Sequence, residues 1–171
     1  MLKNDEINKG FAFYNLEGYE MKITYENKFV VAIEFFYKKA DYKREKSSFE
    51  NICGRNSLTE IVYKEFLEYF EGKRKVFDFP FKFRGTDFQK KVWEELLKIP
   101  YGKIKSYKDI AISIGNPKAC RAIGNANNKN PLLIVVPCHR VIGSSGDLTG
   151  YAAGLELKKK LLNLEKKYNN F

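Results

Sequence analysis

An uninterrupted apolar run, Leu132–Val136, leads directly into Pro137, Cys138 and His139. A short apolar run without polar alternation is typical of a strand that is buried on both faces. We therefore expect a buried strand that ends at Pro137 and carries a thiol into the interior. Because a buried imidazole is costly without a partner, His139 indicates a functional site more than a packing role. The Gly-Ser-Ser-Gly-Asp segment 143–147 that follows is typical of a loop beside a pocket.

The composition is that of a folded, basic protein. The 171 residues suit one domain, or one domain with a modest second lobe, and 44% hydrophobic residues exclude a disordered chain. The net charge of +10 favours a polyanionic partner, either nucleic acid or, less readily, an anionic membrane surface. No apolar run is long enough to span a membrane, and Met1–Glu6 lacks an apolar signal core, so we expect a cytoplasmic protein. Three widely spaced cysteines, Cys53, Cys120 and Cys138, argue against a disulfide framework and a Cys-x-x-Cys metal site.

The first half of the chain predicts a small sheet and one helix. Apolar residues alternate on both sides of a turn at 26–28, which predicts a hairpin, and Gly10–Tyr14 predicts a further strand. The polar segment 38–56 is expected to be a loop. Ser57-Leu58-Thr59-Glu60 matches a capping box for a helix that continues to Gly72.

An aromatic connector separates the two halves. Phenylalanines alternate from Phe77 to Phe83 around Pro80, which predicts an extended segment that cannot be a central strand. We therefore predict a scaffold lobe over residues 1–83 and a second domain over residues 84–171.

The second half predicts a helix-turn-helix. Thr86 with Gln89 and Ser106 with Asp109 are capping pairs for two helices, and Asn116-Pro117 is predicted to begin a third. The predicted exposed side of the third helix is small, with Arg121 as its inserted cation beside Ala119, Ala122, Gly124 and Asn125. Such a face lets a backbone approach DNA closely. It is equally typical of tight helix packing.

The C-terminal helix offers a carboxylate to the thiol site. Leu157, Leu161 and Leu164 form its apolar stripe, and Glu165 falls on the same side, four positions after Leu161. We interpret Lys158 as one of several lysines that solvate the outer face, with Glu165 directed inward. A carboxylate that orients His139, which in turn removes the proton of Cys138, would make the thiol acidic and nucleophilic.

These motifs resemble those of the O6-alkylguanine-DNA alkyltransferases, also called methylated-DNA–protein-cysteine methyltransferases. The resemblance extends from Thr86 to Glu165, and its blocks are Phe88-Gln89-x-x-Val92-Trp93, Pro100-x-Gly102-x-x-x-Ser106-Tyr107, Gly115-Asn116-Pro117, Arg121-Ala122, Asn130-Pro131, Pro137-Cys138-His139-Arg140-Val141 and Gly154-Leu155. It implies an α+β fold. A small N-terminal ribonuclease-H-like α/β lobe would precede a mostly helical, winged-helix-like DNA-binding domain that carries the Pro-Cys-His-Arg-Val segment.

The resemblance also implies a single-turnover DNA repair reaction. O6-alkylguanine, and O4-alkylthymine as well, would be flipped out of duplex DNA, and its alkyl group would pass irreversibly to Cys138. His139 would act as the base through a water molecule, Glu165 would orient His139, and Asn130 would brace the active-site turn. Tyr107 would donate a proton to the base and rotate the flanking phosphate.

The remaining implied contacts are to DNA and to the flipped base. Arg121 would fill the vacated base stack, and the other implied residues are Ala119, Ala122, Gly124 and Tyr107 at the DNA, and Val141, Tyr151 and Ala152 around the base. The backbone carbonyls of Cys138 and Val141 would receive the exocyclic amine. The implied protein is a monomer that takes no metal and no cofactor, and its partner is double-stranded DNA with O6-alkylguanine, not a membrane.

Two other functions remain open from the sequence. A DNA-binding helix-turn-helix protein without chemistry explains the charge but leaves Cys138 and His139 without a role. A cysteine hydrolase would use Cys138, His139 and Glu165, but it needs an exposed thiol and an oxyanion hole.

Overall fold

A computed structural model describes residues 8–36 and 54–169 of the chain. Its fold has mixed α and β content, as the sequence predicts. The elements in chain order are β1 (Lys9–Leu16), β2 (Tyr19–Glu26), β3 (Phe29–Phe36), α1 (Ser57–Phe70), α2 (Asp87–Leu97), β4 (Lys105–Ser106), α3 (Tyr107–Ser113), α4 (Cys120–Asn128), a 3₁₀ turn (Cys138–Arg140), β5 (Val141–Ile142) and α5 (Leu155–Tyr168).

The three long strands form an antiparallel meander in the order β1-β2-β3. Ile23 of β2 pairs with Ala12 on one side and Ile33 on the other. Glu17 and Gly18 join β1 to β2 with φ values of 55° and 83°, the geometry of a two-residue hairpin turn. The predicted hairpin and the additional strand are confirmed. Of the predicted loop 38–56, only residues 54–56 lie within the described ranges, and Cys53 lies outside them.

Helix α1 covers one face of this sheet, and its capping box lies one residue earlier than predicted. Asn56, not Ser57, is the N-cap: its Oδ1 accepts from the Thr59 N–H at 2.9 Å, and Thr59 Oγ1 accepts from the Asn56 N–H at 3.0 Å. Asparagine caps helices at least as well as serine, so the preceding residue takes the position. Val62 and Phe66 are then buried in the core.

The aromatic connector lies along the edge of the sheet. The Val30 N–H donates to the Pro80 carbonyl at 2.9 Å, and the Lys82 N–H donates to the Val30 carbonyl at 3.1 Å. Pairing is limited to this one position, as expected for a segment that contains proline. The Phe83 ring continues the contact to Trp93 of α2, with ring centroids 5.5 Å apart.

The first two helices of the second half begin as predicted. Thr86 and Gln89 exchange side-chain and backbone hydrogen bonds at the start of α2, and Ser106 and Asp109 do so at the start of α3. Gly115 follows α3 with φ of 76°, a left-handed conformation that favours glycine.

The predicted start of the third helix at Asn116-Pro117 is wrong. The Ala119 N–H donates to the Asn116 carbonyl at 3.0 Å and closes a single turn, and regular α4 begins only at Cys120. Ala119 itself has φ of −83° and ψ of 11°, which is not helical geometry, so the turn does not continue into α4 as a regular helix. This turn also buries Ala119, which we expected on the exposed face.

The apolar run 132–136 is buried as predicted, but it is not a strand. It pairs with β3 only around Ile33, whose N–H donates to the Pro131 carbonyl at 2.7 Å. Ile134 then has φ of 73°, and the Val136 N–H donates back to the Leu132 carbonyl at 2.9 Å. The Asn130 amide, which bonds the backbone at both ends of this turn, competes with strand pairing.

One continuous cluster of buried apolar side chains joins the sheet, α1, α2, α3, α4, α5 and the turn. Within this cluster the rings of Tyr69 in α1 and Tyr101 after α2 meet edge to face, 5.9 Å between centroids. In the described ranges, no helix combines the length and the apolar character needed to cross a bilayer.

Candidate active site

The Cys138 thiol lies at the start of the 3₁₀ turn and is 3% exposed. Asn130 holds it: its Nδ2–H₂ group donates to Cys138 Sγ at 3.1 Å and to the Val136 carbonyl at 2.9 Å. Its Oδ1 accepts from the Leu132 N–H at 3.0 Å. One amide therefore ties the sulfur to both ends of the 132–136 turn that precedes it.

The imidazole of His139 is fully buried and faces the carboxylate of Glu165 on α5. His139 Nε2 lies 2.9 Å from Glu165 Oε1. An ionised carboxylate only accepts hydrogen bonds, so we assign the ring proton to Nε2, which leaves Nδ1 as an acceptor. No described residue bonds Nδ1. The inward direction predicted for Glu165 is confirmed, since its side chain is 1% exposed.

Three further groups hold the Glu165 carboxylate. Arg140 donates through Nε to Oε2 at 2.9 Å and through Nη2 to Oε1 at 2.8 Å. The Tyr69 hydroxyl donates to Oε1 at 2.6 Å, and the Gly102 N–H donates to Oε2 at 3.0 Å. Burial by itself would raise the Glu165 pKa, but the hydrogen bonds and charges of His139 and Arg140 hold this pKa well below its usual range.

The sequence did not reveal the roles of Tyr69 and Arg140. Arg140 offered a signal, because an arginine among buried residues needs a buried acceptor. Tyr69 offered none, since an aromatic residue on the apolar side of α1 is also what core packing requires.

The prediction of an acidic thiol is wrong for the structure at rest. Burial raises the pKa of Cys138 to about 11, although Asn130 and Lys158 act in the opposite direction. The His139 pKa is lowered by burial, which outweighs the attraction of Glu165. At neutral pH the thiol and the imidazole are therefore both neutral in the structure at rest.

The prediction that Lys158 solvates the outer face is also wrong. Lys158 is fully buried, and its Nζ donates to the carbonyls of Val141 at 2.7 Å and Thr149 at 3.0 Å. Burial lowers its pKa. The signal was present in the sequence, because Lys158 precedes Glu165 by seven residues, two helical turns, and so shares its side of α5.

A surface cleft of about 510 Å³ lies beside α3 and α4. Tyr107 and Arg121 line it, together with Gly124 and the loop residues Gly143 and Thr149. The Thr149 hydroxyl donates to the Tyr107 hydroxyl at 3.1 Å. Arg121 and Ala122 are exposed on α4, as predicted.

The implied base-pocket residues do not line this cleft. Val141 is buried with its carbonyl already bonded to Lys158, and Tyr151 is buried without a described hydrogen-bond partner for its hydroxyl. Ala152 is exposed and lines a different depression with Asn130. Tyr151 and Ala152 belong to the irregular segment 143–154, which follows Val141 and Ile142 in the chain.

The comparisons with known proteins point to one family. Residues 87–167 match the family model described as "6-O-methylguanine DNA methyltransferase, DNA binding domain". The constitutive methylated-DNA–protein-cysteine methyltransferase of Bacillus subtilis is 54% identical over 133 residues, which are 77% of this chain and 81% of that protein. The chain belongs to the methylated-DNA–protein-cysteine methyltransferase family.

Other members of this methyltransferase family are similarly close. The protein of that name from Methanosarcina barkeri is 60% identical over 97 residues, 57% of this chain and 61% of that protein, so this match spans less than two thirds of the relative. The crystal structure of Mycobacterium tuberculosis OGT in complex with DNA has a TM-score of 0.81 and 35% identity, and the match covers 93% of this chain and 94% of that one.

Proposed function

We propose that this chain repairs alkylated DNA by transferring the alkyl group of O6-alkylguanine, and of O4-alkylthymine, irreversibly to its own Cys138. The observation that carries the proposal is the buried His139–Glu165 pair at 2.9 Å, one residue along the chain from a thiol that Asn130 holds at 3.1 Å. A thiol with a base and an orienting carboxylate is the arrangement of an activated nucleophile.

In the proposed reaction the thiol proton passes through a water molecule to His139 Nδ1, the imidazole nitrogen that no described residue bonds. The sulfur attacks the methyl carbon, a carbon–sulfur bond forms, and the bond from carbon to guanine O6 breaks. The electron pair remains on the guanine, which takes a proton from the Tyr107 hydroxyl. Tyr107 regains a proton from solvent, and His139 releases one. The thioether has no proton to lose and no leaving group comparable to guanine, so each molecule reacts once.

The proposed partner is double-stranded DNA. The net charge of +10 favours a polyanion, and Arg121 and Tyr107 lie on the cleft beside the short helices. A stacked base cannot reach a thiol that is 3% exposed, so the nucleotide must flip out. Arg121 would fill the vacated stack, and the small residues Ala122 and Gly124 would admit the backbone.

The cleft beside Thr149 does not include Cys138, so we propose that segment 143–154, which lines the cleft at Gly143 and Thr149, moves to admit the nucleotide to the thiol. We propose that this movement brings Val141, Tyr151 and Ala152 around the flipped base. The Val141 carbonyl has a second lone pair, so it can accept from the base amine while Lys158 remains bonded.

The proposed organisation has two parts: a ribonuclease-H-like scaffold over residues 1–83 and a winged-helix-like DNA-binding domain over residues 84–171. The three-stranded sheet with α1 supports the first part, and α3 with α4 supports the second. We further propose that the protein acts as a monomer in the cytoplasm.

The test counts methyl groups transferred from duplex DNA with O6-methylguanine. Wild-type protein should accept one methyl group per molecule and then stop. Cys138→Ser should bind the same DNA with unchanged affinity and accept none. Continued turnover by the wild type would support a hydrolase, and loss of DNA binding in Cys138→Ser would mean that Cys138 is only structural.

A further inference from the structure

The Tyr69 hydroxyl is a buried polar group that the proposed reaction does not use. Tyr69 lies on α1 in the first half of the chain, 96 positions from Glu165, and it is fully buried. It donates to Glu165 Oε1 at 2.6 Å. The same oxygen accepts a hydrogen bond from His139 Nε2 at 2.9 Å, so one carboxylate oxygen joins the tyrosine to the imidazole.

From this shared oxygen we infer that Tyr69 is a positioning residue for alkyl transfer: it holds the Glu165 carboxylate and sets how strongly that carboxylate attracts a proton onto His139. The inference rests on the proposed function, since it assigns a role in that reaction. It also gives the first half of the chain a positioning role in the reaction, beyond scaffolding.

The hydroxyl remains a donor over the working range of pH. Burial raises the pKa of Tyr69 well above its ordinary value, and the Glu165 charge raises it further. The hydroxyl therefore keeps its proton and withdraws electron density from Oε1 at any pH where the protein is active. A carboxylate shared in this way attracts an imidazolium less than an unshared one, so Tyr69 helps to keep His139 neutral and able to accept the thiol proton.

Other charged groups around His139 act on the same equilibrium. Arg140 from the 3₁₀ turn and Lys158 from α5 oppose protonation of the ring, and Glu165 from α5 favours it. Tyr101 packs against Tyr69 and lies near Glu165, but its hydroxyl has no described hydrogen-bond partner. Tyr101 is therefore a matched control, because Tyr101→Phe removes a buried hydroxyl from the same cluster without removing one of these hydrogen bonds.

Tyr69→Phe removes one of the hydrogen-bond donors that hold the Glu165 carboxylate. In Tyr69→Phe the carboxylate attracts a proton on His139 more strongly, so the His139 pKa rises and the acid limb of the transfer rate moves to higher pH. On that acid limb we expect transfer to slow by roughly three- to tenfold, the net size of one ordinary intramolecular hydrogen bond. At higher pH the rates of Tyr69→Phe and the wild type should converge.

The experiment measures the single-turnover transfer rate against pH for wild type, Tyr69→Phe and Tyr101→Phe, and titrates the imidazole by NMR without DNA. The chain has one histidine, so its ring signals need no assignment by mutation. We expect both measurements to shift upward in pH for Tyr69→Phe and to stay at wild-type values for Tyr101→Phe. Equal profiles for Tyr69→Phe and the wild type would overturn the inference, as would the same shift in both variants.

Two further measurements apply if Tyr69→Phe does not fold or if the wild type is inactive. If Tyr69→Phe does not fold, the wild-type Tyr69 hydroxyl proton is measured by NMR: slow exchange with water supports the bond, and exchange as fast as that of surface tyrosines overturns it. If wild-type protein transfers no methyl group, the proposed function fails, and the NMR titration still decides whether Tyr69 controls His139.

Discussion

Glu165 is an anion with almost no exposure to water, and its stability depends on the donors that surround it. Arg140, Tyr69, Gly102 and His139 together supply hydrogen bonds to both of its oxygens. Removal of the charge from such a site leaves several donors without an acceptor, which is more costly than loss of one surface contact. The same donors orient the carboxylate toward His139.

We predict that Glu165→Gln slows alkyl transfer by roughly 100- to 10,000-fold, the range of general acid–base contributions. A glutamine amide cannot accept from all of these donors or stabilise an imidazolium. The rate is measured in single-turnover assays, with circular dichroism as the check on folding. Glu156→Gln, a change of the same kind at an exposed position in α5, is the matched control and should react like wild type. A wild-type rate in Glu165→Gln would contradict a role for Glu165 in orienting His139.

The pH dependence of stability follows from the same pair. The pKa values of His139 and Glu165 in the folded protein lie below their ordinary values of 6.5 and 4.5, so the unfolded chain takes up protons first as pH falls. The free energy of unfolding should therefore decrease below about pH 6.5 and decrease further below about pH 4.5. Urea denaturation at several pH values measures it, and Glu165→Gln should show a shallower decline at the acid end. A steeper decline in Glu165→Gln would contradict the assignment.

The Tyr69–Glu165 contact and the thiol pKa could not be predicted from the sequence, for a physical reason. Periodicity placed Glu165 on the inner side of α5, because that information is local. The contact between Tyr69 and Glu165 spans 96 positions and leaves no periodic trace. The pKa of the Cys138 thiol depends on its complete burial in the assembled core. Although the sequence predicted that Glu165 faces inward, it therefore gave the wrong expectation for the thiol pKa.

Elements were predictable where their determinants are local. The caps of α2 and α3 involve residues three positions apart, and both formed as predicted. The run 132–136 failed as a strand because Asn130 bonds the backbone at both of its ends and a left-handed Ile134 reverses the chain. Hydrophobicity predicted its burial, but it could not distinguish a buried strand from a buried turn.

At the level of α4, we predict that Arg121→Ala weakens binding to lesion-containing duplex and reduces base flipping. Arg121 is exposed beside the cleft, where it can enter the base stack. A fluorescent base analogue at the lesion reports flipping. Lys129→Ala removes the same charge from the exposed end of the helix and should lower affinity without changing the fluorescence of the bound complex. Unchanged fluorescence in Arg121→Ala would show that Arg121 does not promote base flipping.

The whole molecule combines an excess of positive charge with a site sealed from water. In the proposed function, the excess of ten positive charges favours the phosphate backbone in general, whereas the buried thiol would select only a nucleotide that leaves the duplex. Affinity and chemical selectivity therefore depend on different parts of the protein. Charge and composition indicated the first from the sequence, and the arrangement of the site required the assembled fold.

We predict that DNA affinity falls steeply with salt and depends little on sequence. Each phosphate neutralised by Lys or Arg adds about −0.9 to the slope of log affinity against log salt concentration. Fluorescence anisotropy with two unrelated duplexes over a range of salt concentrations measures both properties. A flat salt dependence, or a strong preference for one duplex, would indicate base readout instead of backbone binding.

Every step of the proposed reaction depends on the sulfur of Cys138 receiving the alkyl group. The most direct test is peptide mass spectrometry of wild-type protein after reaction with an excess of duplex DNA containing O6-methylguanine. We predict one added methyl group, on the peptide with Cys138, with Cys53 and Cys120 unmodified. Repaired DNA together with an unmodified Cys138 would contradict it.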